Sequence, residues 1–163
     1  MIFMVKLIGK KRVKEIFAGD IYVNNNQNTV ISTLLGSCIA VCLIDNINSV
    51  YGMNHFMLPD KNYKKAQDKR GKYGVDAIEL LIKEMIAQGA SATSLRAKVF
   101  GGGEVTNIIY DNVSRANIEF AHTTLGKYSI PIIAKDVGGR CGRQIYLFST
   151  GEVYVRRFRP KSI

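Results

Sequence analysis

The sequence contains no tryptophan, and only two histidines, three cysteines and three prolines among its 163 residues. Each scarcity narrows the reading. Cys38, Cys42 and Cys141 are odd in number and lack paired spacing, which argues against a disulfide framework and for a reducing compartment. No two of them form a CxxC knuckle, and three cysteines with His55 and His122 make a poor zinc set, so no metal is expected. No apolar run approaches the roughly 20 residues of a membrane span, so no membrane insertion is expected. The first nine residues are interrupted by Lys6 and followed by Lys10, Lys11, Arg12 and Lys14, the reverse of the charge order in a secretory signal. A cytoplasmic location is the resulting expectation.

Acidic residues are also scarce, 13 against 23 basic, for a net charge of +10. The excess is concentrated in an N-terminal arm (1–17), a polar stretch (61–72) and the C-terminal end, with 159–163 as a basic tail. No aromatic-studded basic strand accompanies it. Solvated ends, or attraction to an acidic protein partner, therefore rank ahead of nucleic acid, which is not expected to bind. Residues 1–163 are expected to form a single domain, acting as a monomer.

The extended segments outnumber the helical ones. Ile21 to Val23, Thr29 to Leu34 and Val50 to Leu58 read as strands, and Ile39 to Ile44 as a strand buried on both faces. The turn from Asp45 to Ser49 should make two of these antiparallel neighbours. Val75, Ile78, Leu81, Ile82, Met85 and Ile86 recur at helical spacing, closed by Gly89. Ala97 to Phe100 is a strand running into Gly101-Gly102-Gly103, and a second amphipathic helix spans about 114–128, with Ile118, Ala121 and Leu125 inward. Ile130 to Ala134 is a strand whose Pro131 argues for a sheet edge. Gln144 to Phe148 and Val153 to Phe158 form a hairpin. The expected class is α+β, with packed mixed or antiparallel sheets and two main amphipathic helices outside.

Cys38 follows Gly36-Ser37 at the start of the most apolar strand. A thiol attacks as thiolate and needs a base, together with donors for the developing oxyanion. Gly36 and Ser37 supply a tight turn whose peptide N–H groups could converge on one point. His55, on the returning strand, is the better-placed base, whereas His122 lies on the polar flank of a helix. On this reading Cys38 would be a low-pKa thiol, with Cys42 and Cys141 inert core. Spacing alone leaves the other reading open, in which Cys38 is a small core residue. Gly101-Gly102-Gly103 lacks the Lys-Ser or Lys-Thr of a phosphate loop and reads as a turn that could line a cleft.

In order, STLLGSCIAVCLID, GMNHFMLP, GKYGVDAIELLIKEMIAQGA, AKVFGGG and DVGGRCGRQIYLFSTGEVYVRR resemble segments of the CheD family of chemoreceptor glutamine deamidases. The resemblance runs from about Gly19 to Phe158. It implies an amidohydrolase with no cofactor that converts glutamines on chemoreceptor cytoplasmic helices to glutamate, and in some systems hydrolyses receptor methyl esters. It implies a CheC-type phosphatase as a second partner; a non-catalytic module that only docks on that phosphatase is the alternative. It assigns the nucleophile to Cys38 and the base to His55. The family's hydroxyl member usually stands six residues before the cysteine, which here is Ser32, with Thr33 beside it. Ser32 is accordingly the favoured residue to orient His55, and Thr33 stays open as the alternative.

Overall fold

The computed structural model describes residues 2–57, 74–105 and 111–159. The polar stretch expected over 61–72 and the tail beyond Arg159 lie outside the described residues. The elements are α1 (Ile2–Ile8), β1 (Arg12–Glu15), β2 (Ile21–Asn24), β3 (Thr29–Leu35), β4 (Ile39–Asp45), β5 (Val50–Asn54), α2 (Gly74–Ala87), β6 (Arg96–Gly101), α3 (Asp111–Lys127), β7 (Ile132–Val137), β8 (Gly142–Leu147) and β9 (Val153–Phe158). They build two mixed sheets, a four-stranded one in the order β1-β3-β8-β9 and a five-stranded one in the order β2-β5-β4-β6-β7. The class is α+β, as the sequence suggests. The short α1 and the charged strand β1 are additions to it, since a basic arm carries no alternation to mark them.

β4 sits at the centre and every residue in it is buried. Its period of two sends Ile39, Val41 and Leu43 into one apolar cluster with Ala77, Leu81 and Met85 of α2 and Ala121 and Leu125 of α3. Ala40, Cys42 and Ile44 enter a second cluster with Ile31 and Leu35 of β3 and Ile145 and Leu147 of β8. The molecule is thus layered as sheet, sheet and helices, with β4 between two cores. Small Ala40 and Cys42 let the sheets approach, while the bulkier face meets the helices.

In α2, Ile78, Leu81, Ile82 and Met85 are buried as the spacing predicts, and Ile86 is exposed. The helix closes with Ala90 N–H donating to the Met85 carbonyl and Gly89 N–H to that of Ile86, the paired bonds of a Schellman ending. β7 runs parallel to β6 at the sheet edge, two residues further on than its expected start at Ile130, which lets Pro131 precede the ladder. β4 and β5 pair antiparallel from Asp45–Val50 to Cys42–Met53. There the buried Asn54 side chain replaces a ladder bond: its Oδ1 accepts from Val41 N–H at 2.8 Å, and its Nδ2 donates to the Ala77 carbonyl at 3.0 Å. The chains meet again where Ile39 and Phe56 exchange both backbone bonds, at 2.9 and 2.8 Å.

Candidate active site

The pairing of Ile39 with Phe56 sets the geometry of the site. Cys38 and His55 each stand one residue before a member of that pair on antiparallel chains, so they are diagonal neighbours. Such neighbours lie about 7–8 Å apart at Cα, within reach of an imidazole. Both side chains face the other sheet: Cys38 packs against the inter-sheet cluster, and the His55 ring meets β3. The His55 backbone is fixed from its far side, where its carbonyl accepts from Gly19 N–H and its N–H donates to the Asp20 carbonyl.

The hydroxyl that meets His55 belongs to Thr33. Thr33 Oγ1 lies 2.8 Å from His55 Nδ1 and donates its single proton to the Ile16 carbonyl at 2.7 Å. A carbonyl only accepts, so the other contact must be Nδ1–H donating to the hydroxyl oxygen. The network therefore places the proton of the neutral ring on Nδ1 and leaves Nε2 with a free lone pair. Ser32, the residue expected in this role, faces the opposite side of β3, where its hydroxyl accepts from Gln144 Nε2 at 2.7 Å. The strand is two-sided: Ile31, Thr33 and Leu35 look between the sheets, and Ser32 and Leu34 look out. Of the two adjacent hydroxyls it is thus Thr33 that contacts His55, one residue along β3 from the favoured Ser32.

Burial sets the charge state of the pair. It pushes the His55 pKa down to about 4, opposed by the nearby Asp20 carboxylate, and pushes the Cys38 thiol up. The expected low-pKa thiol is therefore corrected to a neutral thiol beside a neutral imidazole. Among the described residues no cation offsets the desolvation of Cys38, and burial alone moves its thiol. Cys42 is fully buried and inert, its thiol pushed far up by desolvation. Cys141 is half-buried rather than core, and His122 is half-buried on α3. Among the described residues, no three His, Cys, Asp or Glu side chains gather in a metal-binding group.

The turn Gly36–Cys38 is held by its carbonyls. That of Gly36 accepts from Gly103 N–H at 2.8 Å, that of Ser37 from Asn117 Nδ2 at 3.0 Å, and that of Cys38 from Gly102 N–H at 2.8 Å. The triple glycine is thus the clamp on the turn that carries the thiol. Gly101 has φ +109°, and a Cβ there would fall 2.2 Å from the Cys38 carbonyl oxygen; one on Gly103 would fall 2.2 Å from that of Cys141. Behind the clamp, buried Arg143 donates to the Gly138 carbonyl at 2.8 Å and to Asp136 Oδ1 at 3.0 Å. Asn117 and Arg143 escaped the sequence reading. The available signal was a polar residue on an inward-facing position of an otherwise apolar face.

A half-buried thiol, and one diagonal step away an imidazole whose Nδ1 meets a hydroxyl, are the residue types that thiol-based acyl transfer uses, here on a two-sheet α+β scaffold. Residues 57–157 match the family model described as CheD chemotactic sensory transduction, a span beginning two residues beyond His55. The chain is 44% identical over 139 residues to a probable chemoreceptor glutamine deamidase CheD of Borreliella burgdorferi, covering 85% of this chain and 84% of the relative. It is 40% identical to a probable chemoreceptor glutamine deamidase CheD 2 of Chromobacterium violaceum over 148 residues, covering 89% and 73%. A CheD 2 of Shewanella oneidensis bearing the same description is 42% identical over 150 residues, covering 86% and 74%. Among solved structures, a Neisseria meningitidis protein, NMB0706, is similar at 10% identity with a TM-score of 0.49, over 84% of this chain and 66% of its own, too loose a likeness to carry an inference. The chain belongs to the CheD family.

Proposed function

We propose that this chain deamidates glutamine side chains on chemoreceptors, with Cys38 as nucleophile and His55 as base. The names of its relatives supply the substrate class. The observation that carries the chemistry is the hydrogen bond from His55 Nδ1–H to Thr33, because it leaves Nε2 able to take a proton on the face that Cys38 shares. Cys38 Sγ attacks the carboxamide carbon as Nε2 takes the thiol proton. The peptide N–H groups of Ser37 and Cys38, which have no acceptor among the described residues, receive the oxyanion. Collapse breaks the C–N bond, and the imidazolium gives its proton to the departing ammonia. His55 then takes a proton from water, which attacks the thioester; glutamate and the free thiol result. A docking role without catalysis is not favoured.

The test is the mass of a purified chemoreceptor cytoplasmic fragment, which should rise by about one dalton for each glutamine hydrolysed. Cys38→Ala should leave that mass unchanged. Thr33→Val removes the acceptor for His55 Nδ1–H and should slow turnover roughly ten- to a hundredfold, the worth of one hydrogen bond to a catalytic base. Ser32→Ala, on the other face, should stay within about threefold of the unaltered protein, since it loses only the contact with Gln144. The reverse ranking of Thr33→Val and Ser32→Ala would reassign the orienting hydroxyl to Ser32.

A further inference from the structure

We infer that Asn117 is a positioning residue that aims the Cys38 N–H at the oxyanion. The inference rests on Cys38 being the nucleophile. Asn117 is completely buried on α3, sharing the inward face with Ser114, Ala121 and Leu125. An asparagine is a poor choice there on two counts: it weakens a helix interior, and burying its carboxamide is costly unless hydrogen-bonded. Its Nδ2 donates to the Ser37 carbonyl at 3.0 Å, and one turn earlier Ser114 Oγ donates to the Gly103 carbonyl at 3.2 Å. The polar end of this helix face is spent on the two turns around the thiol.

The consequence follows from peptide geometry. In a planar trans peptide the N–H points opposite to the C=O, and the Ser37 carbonyl and the Cys38 N–H belong to one peptide. α3 packs on the helix side of the five-stranded sheet, whereas the Cys38 side chain packs on the inter-sheet side. Holding the Ser37 carbonyl toward α3 therefore turns the Cys38 N–H toward the side of the thiol. The preceding peptide is set in the same way by Gly103, whose N–H holds the Gly36 carbonyl and so directs the Ser37 N–H. Gly103 fixes one oxyanion donor and Asn117 fixes the other. Without Asn117 the Ser37–Cys38 peptide can rotate, and one donor is lost.

Two reactions of the same thiol separate this role from simple bracing. Deamidation passes through an oxyanion. Alkylation by iodoacetamide displaces iodide at a saturated carbon and forms none, yet it depends on the same thiol and the same access. Asn117→Ala should lower kcat for deamidation of a receptor fragment about ten- to a hundredfold with KM little changed, and leave the alkylation rate of Cys38 within about twofold. Asn117→Asp, nearly the same shape but with an acceptor facing the carbonyl, should behave alike or worse, and it provides the measurement if the alanine variant does not fold. The inference is overturned if kcat is retained in a folded variant, or if kcat and alkylation fall together, which would mark a merely structural residue. Turnover persisting in Cys38→Ala would instead overturn the reading beneath it.

Discussion

His55→Ala should slow deamidation at neutral pH by about 10²- to 10⁴-fold, the usual worth of a positioned general base. The buried thiol, pushed up by desolvation, has few thiolates of its own to fall back on, so the residual rate should climb as pH rises. In the unaltered protein kcat/KM should fall on the acid side through about 4, where His55 takes up a proton and ceases to be a base, and run level through neutrality. A thiolate–imidazolium pair would behave oppositely, losing activity as the imidazolium titrates with rising pH. Stability follows the same residue. An unfolded imidazole protonates near 6.5 and the folded one only near 4, so the unfolded state binds more protons between these values. The contribution of His55 to stability is complete above about 6.5 and is lost as pH falls toward 4, amounting to about 3 kcal/mol at most. Turnover within tenfold of normal in a folded His55→Ala variant would remove His55 from the chemistry.

Among the described glycines, Gly101 should be the one where a single added methyl does most damage. The backbone there has φ +109°, a region that residues with a Cβ rarely adopt, and the added carbon would fall 2.2 Å from the Cys38 carbonyl oxygen. Strain and overpacking together should cost about 2–5 kcal/mol of stability. Relief by pushing Cys38 off its bond to Gly102 N–H would displace the proposed nucleophile, so turnover of whatever folds should drop more than about a hundredfold. Gly126→Ala is the control. Gly126 lies in α3 with nothing within 4 Å of a Cβ and no left-handed φ, so alanine should be neutral or stabilising by up to about 1 kcal/mol. Melting temperature and turnover measured on both variants check the pair. Normal values for both in Gly101→Ala would mean that the glycine turn does not clamp the thiol.

The parts of the fold written in a single periodicity were legible in advance. The unbroken apolar run of β4 announced a strand between two cores, and the spacing of Ile78, Leu81, Ile82 and Met85 announced α2. For Cys38 and His55, spacing leaves open a small core cysteine, and their assignment as a pair comes from the resemblance to the family. The orienting hydroxyl was not legible. Val30, Ile31, Ser32 and Thr33 are all buried, so β3 shows no polar–apolar alternation that would say which hydroxyl looks between the sheets. Only the packing of β3 over His55 decides for Thr33. Asn117 and Arg143 were hidden for a related reason: each occupies an apolar position in its element, and its value lies in turn carbonyls, that of Ser37 far off in sequence for Asn117 and that of Gly138 in the preceding turn for Arg143. β1 escaped notice because edge strands are commonly charged, and Arg12, Lys14 and Glu15 look like a solvated arm.

The most direct test of the central claim is to catch the covalent intermediate. A receptor fragment mixed with excess protein, quenched in acid within the first turnover and mapped by peptide mass, should show a thioester joining a receptor glutamine, less its ammonia, to Cys38. The adduct should accumulate further in Thr33→Val if water activation by His55 becomes the slow step. An adduct on Cys42 or Cys141, or deamidation that proceeds at the normal rate in Cys38→Ala, would contradict the account.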